Sequence, residues 1–253
     1  MTNLAESGNE TLALDVTVPE SIATLKTRLS NAPAAHLPSL QQCWFYVRKP
    51  ADPSPVRAMF DPNVFGLFDV VTAFAPLLIV AAVDSSPNSA PTIVNVASVF
   101  SRIPLPFAAT YNASKAAALA YSDTMRLELV PLDIRVVTVF MGEDSTGIKS
   151  VETTNFGPGS IYAAVEDKFK QRVENSAKES MTPDVFAKQI VPRVLANDAS
   201  YIWKGTNAFI VWLLNAIGSR KAFVSTLTGP VGLSDKGLVR QIYERGQRLV
   251  GNA

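Results

Sequence analysis

Residues 92–115 read TIVNVASVFSRIPLPFAATYNASK, and this stretch decides the fold. Its opening, residues 92–97, has the near-continuous apolar character of a parallel strand buried on both faces. Ser98 closes that strand, at the carboxyl edge where ligands bind in open α/β sheets. An Ala-, Leu- and Met-rich run over residues 111–129 then predicts a helix. Tyr111 follows Ser98 by thirteen residues, and Lys115 follows Tyr111 by four. Side chains four apart on a helix are neighbours, so a phenol and an ammonium share one face. A free phenol ionises near pH ~10, and a cation beside it favours the phenolate. The pair is therefore suited to pass a proton to a nascent alkoxide or to take one from an alcohol. Tyr-x-x-x-Lys alone is also a common solvated surface pair. What adds weight here is the hydroxyl delivered by the strand end, a position that the competing Ser101 and Ser114 lack.

Outward from this core, residues 134–140 (IRVVTVF) give a second buried strand, and helices are expected over about 160–177 and 183–196 with Thr182 capping the latter. Upstream, residues 11–16 (TLALDV) read as a short strand. Thr17 and Glu20 then form a capping box for a helix over 18–30, where Ile22, Leu25 and Leu29 recur at helical spacing. Residues 60–78 form a long apolar helix that Pro62 and Pro76 should bend or terminate locally. Between them, residues 31–56 change character, and CWFYV at 43–47 is a strand candidate by its aromatic and β-branched content. Strands alternating with helices predict a single doubly wound, mainly parallel α/β sheet domain over residues 1–253.

The chain's 253 residues, 47% of them hydrophobic, suffice for a substantial core. Lys plus Arg number 23 against 22 Asp plus Glu, so there is no basic excess to neutralise a nucleic-acid backbone. One cysteine, Cys43, rules out an intramolecular disulfide, and one histidine, His36, rules out a His-rich metal site. The N-terminal residues lack the basic start and apolar run of a signal peptide, which predicts an intracellular, cytoplasmic protein. Two apolar runs, residues 70–83 and 208–217, are shorter than the ~18–20 residues of a membrane span. They are read as a buried helix and as an exposed or substrate-facing one.

The motifs VNVAS (94–98), PFAATYNASK (106–115), FDPNVFG (60–66), AFAPLL (73–78) and RLELVPL (126–132) resemble those of the short-chain dehydrogenase/reductase family, in particular fungal carbonyl reductases. The resemblance runs from about residue 11 onward and implies a Rossmann-like fold, an NADP (NADPH) cofactor and carbonyl reduction in lipid or secondary metabolism. It implies that Ser98 bonds the substrate carbonyl, Tyr111 donates the proton, and Lys115 lowers the tyrosine's pKa and holds the nicotinamide ribose. Asn63 matches the asparagine that holds a relay water, the alternative being an asparagine that satisfies backbone at the bend caused by Pro62. Asp15 matches a contact to the adenine amino group, and Gly142 with Thr146 matches the loop over the nicotinamide. A homodimer through helices 60–78 and 111–129 is also implied, with the small residues Ala116, Ala117 and Ala118 allowing close packing.

The pattern departs in three places. Before Gly66 there is a single glycine, Gly8, so the Gly-rich turn that seats a pyrophosphate at a helix N-terminus has no counterpart. A strand-helix-strand unit needs about 30 residues, and some ten precede LALDV, so the sheet is expected to lack its first two strands. The Asn-Asn-Ala-Gly motif is also missing from its expected place within residues 31–56. Loss of likeness there and its recovery at Val56-Arg57 is what an altered reading frame or misplaced splice boundary would produce. Near Gly142, Glu143 and Asp144 oppose a pyrophosphate by like charge unless they point to solvent.

Two functions follow as expectations. One is an NADPH-dependent reductase of a small hydrophobic ketone. The other is a cofactor-deficient homologue that acts as a binding or interaction protein. The resemblance implies 147–235 as the substrate side of the domain, and there Phe156, Ile161, Trp203, Phe209, Trp212 and Leu213 suggest a hydrophobic carbonyl substrate or a membrane-surface contact, at the endoplasmic reticulum or a lipid droplet, with plain core packing as the alternative for each.

Overall fold

The computed structural model describes residues 12–31, 39–42, 55–83, 85, 90–142, 156, 159–196, 199–217 and 222–251. Among them four strands form one sheet in the order β1 (Ser39–Gln42), β2 (Thr92–Ser98), β3 (Arg135–Met141) and β4 (Tyr201–Lys204). β1 pairs parallel to β2, with Ser39 opposite Thr92 and Gln42 opposite Asn95. The Arg135 amide donates to the Pro91 carbonyl at 2.8 Å where β2 and β3 both begin, and the Gly142 amide donates to the Lys204 carbonyl at 2.8 Å where β3 and β4 both end. All four strands therefore run the same way. Every residue of β2 is buried, as a parallel strand covered on both faces requires. The helices are α1 (Pro19–Ser30), α2 (Pro55–Phe60), α3 (Gly66–Val83), α4 (Ala109–Glu128), α5 (Glu166–Glu179), α6 (Pro183–Leu195), α7 (Ala208–Ile217), α8 (Ala222–Thr228) and α9 (Lys236–Gly251). The α/β, Rossmann-like expectation holds.

Two compact units divide the chain, residues 1–95 with 117–138, and residues 96–116 with 139–253. In the first, Leu67, Val71 and Leu78 of α3 and Ala118 and Met125 of α4 pack on Ile93, Ile134 and Val136 of the sheet. Ile22 of α1 closes over Val70 and Phe74. The close approach of α3 to the segment before α1 is why residue 66 is glycine: a Cβ there would lie 2.8 Å from the Val16 carbonyl oxygen. In the second unit, Val99, Phe100, Ile103 and Leu105 pack with Ala208, Val211 and Phe223.

Several elements depart from the sequence reading. Residues 12–15 form no strand. Instead the Asp15 carboxylate accepts the Thr17 amide at 2.9 Å and the Thr17 hydroxyl at 2.7 Å, a local turn that competes with extended pairing. Val18, and not Thr17, occupies the N-cap of α1, without a side-chain bond. Thr182 does stand at the N-cap of α6, also without a side-chain bond. The segment 31–56 contributes a strand at Ser39–Gln42, and the CWFYV candidate at 43–47 lies outside the described residues. Neither proline ends the long helix. At Pro62 the chain adds one residue per turn as a π-helical turn, Asp61–Phe65, and α3 runs through Pro76 to Val83.

Helix therefore continues from Val56 to Val83, long and apolar enough by length and composition to cross a membrane, which corrects the shorter span read from residues 70–83. Leu67, Val70, Phe74 and Leu78 on it are nonetheless buried inside the protein, as in a core helix. α7 carries an exposed apolar face, with Phe209 67% and Ile217 77% exposed.

Candidate functional site

Ser98 ends β2 in extended conformation and is 2% exposed. Its Oγ accepts the Phe100 amide at 3.2 Å, and its carbonyl accepts the Ser101 hydroxyl at 2.6 Å. The first bond uses a lone pair of the Ser98 hydroxyl and leaves its O–H to donate elsewhere. These two bonds wind residues 99–101 into a 3₁₀ turn. Ile103 and Leu105 then turn inward, and Phe107 takes a left-handed conformation, φ 63°, two residues before α4 begins.

Tyr111 stands in the first turn of α4, half-buried against the cluster of Val99, Phe100, Ile103 and Leu105, the residues that follow Ser98. Lys115, one turn on, is 2% exposed. Its Nζ donates to the Val96 carbonyl at 3.2 Å and lies 6.0 Å from the centre of the Tyr111 ring. A buried ammonium needs such acceptors, because desolvating a charge without them is costly. The structure thus gathers Ser98, Tyr111 and Lys115 in one unit. Of the two competing hydroxyls, Ser101 bonds Ser98's own carbonyl and Ser114 bonds the Tyr111 carbonyl at 2.9 Å, so both serve backbone.

The remaining candidates are placed differently. Asn63 is 3% exposed within the π-helical turn and belongs to the first unit, as does Asp15 in its exposed turn. Gly142 follows β3 and is buried against the backbone after β4, where a Cβ would meet the Thr206 carbonyl oxygen at 2.2 Å. Thr146 lies outside the described residues, as do Glu143 and Asp144. Of the apolar set, Trp203 stacks on Phe140 at 3.9 Å and 14°, so it belongs to the core of its unit. Phe209 and Trp212 pair at 5.6 Å on the exposed side of α7.

Sequence reasoning missed the loop between Ser98 and Tyr111. There the Phe107 ring meets Phe156, Tyr162 and Phe169 at 4.9, 5.3 and 5.2 Å. The only signal was the Pro-Leu-Pro-Phe run at 104–107, which stiffens the backbone without revealing its direction.

A family model described as short chain dehydrogenase matches residues 46–155, and so begins inside the segment read as unlike the family. The chain is 31% identical over 223 residues to a short-chain dehydrogenase, virD, of Hypocrea virens, covering 86% of this chain and 75% of the relative. It is 36% identical over 212 residues to an NADPH-dependent 1-acyldihydroxyacetone phosphate reductase of Schizosaccharomyces pombe, covering 79% and 68%. Among solved structures it resembles a short chain dehydrogenase from Burkholderia cenocepacia in complex with NADP, at 25% identity and TM-score 0.54, covering 85% of this chain and 77% of that one. It shares its fold with a short-chain dehydrogenase from Streptomyces avermitilis, at 19% identity and TM-score 0.62, covering 92% and 84%.

Proposed function

The chain belongs to the short-chain dehydrogenase/reductase family of oxidoreductases, and from that membership we propose that it reduces a hydrophobic ketone with NADPH or oxidises the corresponding alcohol. The observation that carries this reading is Lys115, a buried ammonium one helical turn after Tyr111 and anchored on the strand that ends at Ser98.

The donor set fits the nicotinamide end of a dinucleotide. An ammonium suits ribose hydroxyls, and a phenol with a serine hydroxyl suits a carbonyl oxygen. Among the described residues no glycine-rich turn stands at a helix N-terminus to receive the pyrophosphate. When bound, NADPH supplies the hydride that the carbonyl carbon receives. The Ser98 hydroxyl, its lone pair occupied by the Phe100 amide, donates its hydrogen bond to the carbonyl oxygen. Tyr111 gives that oxygen its phenolic proton, so the C=O π bond is replaced by one C–H and one O–H bond. Lys115 favours the phenolate left behind. The relative in Schizosaccharomyces pombe, named as NADPH-dependent, supports NADPH over NADH.

A second reading, a homologue that binds partners without catalysis, rests on Gly8 being the single glycine before Gly66. Thermal denaturation with and without NADPH separates the two. A ligand at one hundred times its dissociation constant adds about 2.7 kcal/mol. Stabilisation, together with ketone-dependent NADPH consumption that falls at least ~10²-fold in Tyr111→Phe, supports the reductase. A flat response at millimolar NADPH removes it.

A further inference from the structure

We propose that α7 is an interfacial anchor: it lies in the plane of an anionic phospholipid surface and seats the protein there through its outward apolar face. The 10 residues of α7, Ala208–Ile217, read AFIVWLLNAI and include no charged side chain. Ala208 and Val211 are buried, and with the partly buried Leu214 they pack on Val99, Phe100, Ile103 and Leu105. At about 3.6 residues per turn, Trp212, Ala216, Phe209, Leu213, Ile217 and Ile210 follow one another around the opposite side, over an arc of about 160°. All six are exposed, the five large ones by 39% to 77%. Asn215, the one polar residue, falls outside that arc. A surface helix of a soluble protein turns polar residues outward, and one that is apolar all round is buried or meets lipid.

Charge names the occupant. From residue 199 to residue 234 the chain has no Asp or Glu, while Lys204 stands four residues before α7 and Arg220 and Lys221 three and four after it. Over residues 199–253 seven Lys and Arg stand against two Asp and Glu, although the whole chain carries only +1. Those two acids are already engaged: Asp235 pairs with Lys168 at 3.2 Å and Glu244 with Arg240 at 2.8 Å. A two-fold contact between copies sets a patch against itself, so the basic excess would meet its own sign. An anionic lipid surface meets the opposite sign, and each lysine or arginine near it adds attraction. Phe209 and Trp212, paired at 5.6 Å, are side chains that favour the boundary between headgroups and acyl chains. A helix of 10 residues is about 15 Å long, half of what the hydrocarbon core requires, so α7 lies on the bilayer and does not cross it.

The test is flotation of the full chain with vesicles of phosphatidylcholine, with and without phosphatidylserine. Wild type is expected to float with the phosphatidylserine vesicles, and less so as salt rises. Ile217→Ser and Phe209→Ser, at the two most exposed positions of the face, should each lower the partition about tenfold with little change in melting temperature. If Phe209→Ser does not fold, Ile217→Ser reads the same face. Arg220→Gln combined with Lys221→Gln should lower binding to the charged vesicles about thirtyfold and leave the neutral ones little changed. Lipids brominated on the acyl chain should quench tryptophan emission in wild type, and most of that quenching should vanish in Trp212→Phe, which a purely electrostatic contact would not produce. No flotation with either vesicle, or flotation of Ile217→Ser equal to wild type, overturns the proposal. An oligomer that Ile217→Ser dissociates, without vesicle binding by wild type, also overturns it and assigns the face to a second copy.

Discussion

The Lys115 ammonium donates to the Val96 carbonyl at 3.2 Å, which ties the helix bearing Tyr111 to the strand that ends at Ser98. Lysine carries three donors and no acceptor, so a buried lysine at this place brings both a fixed charge and a fixed helix face. Lys115→Met keeps the length and removes the charge. Turnover should fall about 10²-fold or more, while thermal stability changes little, because an apolar chain replaces a desolvated charge. Lys115→Arg should not restore turnover, since a planar guanidinium does not reproduce a point charge. NADPH consumption and thermal melts measure the two effects, and a Lys115→Met enzyme at full rate would remove the role assigned to the charge.

Gly142 is a point where two stretches of backbone meet. Its amide bonds the Lys204 carbonyl at 2.8 Å, and a Cβ would sit 2.2 Å from the Thr206 carbonyl oxygen and 2.8 Å from the Gly205 carbonyl carbon. Backbone cannot yield as a flexible side chain can. Gly142→Ala is expected to cost about 1–3 kcal/mol, a fall of roughly 2–12 °C in melting temperature for a chain of this size. An unchanged melt would mean that the two segments separate freely. This contact accounts for the glycine without reference to a cofactor.

The Glu166 carboxyl is held below the usual carboxylate range, chiefly by its bond from Lys170 and next by the Phe156 amide. A carboxylate with a depressed folded-state pKa stabilises the fold above its unfolded pKa, and that contribution is lost as pH falls through the folded value. Wild type should therefore be more stable than Glu166→Gln at neutral pH, with the difference closing in the acid range below the ordinary glutamate pKa. Melting curves across that range test the sign. A gap that widens on acidification would contradict it.

Much of this was legible in the chain because local and tertiary signals agree. The apolar run at 92–97 and the Ala-rich run from 111 have one reading each, and both elements formed. Residues 11–16 misled because alternating leucines imitate a strand while Asp15 and Thr17 offer the backbone a turn, and the turn prevails. Ser-Leu-Gln-Gln at β1 has no apolar pattern at all, and only its pairing with β2 makes it a strand. The left-handed Phe107 and the π turn at Pro62 are backbone choices that side-chain types do not encode.

Arg126 could not be found from sequence, since its role depends on which strand residues face α4. Its Nε donates to the Val136 carbonyl at 3.0 Å and one terminal nitrogen to the Thr138 hydroxyl at 2.7 Å, while the other pairs with Asp123 at 2.9 Å. The helix is thereby bolted to β3 through two acceptors on a buried strand. Arg126→Ala withdraws both donors from an interior that water does not supply, and should cost about 2–4 kcal/mol. Arg126→Lys should recover little of it, because one ammonium cannot span acceptors that a planar fork reaches together. Asp123→Ala, by contrast, removes a partner whose side chain is 35% exposed and should cost only a few tenths of a kcal/mol up to about 1. Denaturant unfolding of the three variants distinguishes these contributions. If Asp123→Ala proved as damaging as Arg126→Ala, the ion pair, and not the bonds to β3, would be what holds α4 in place.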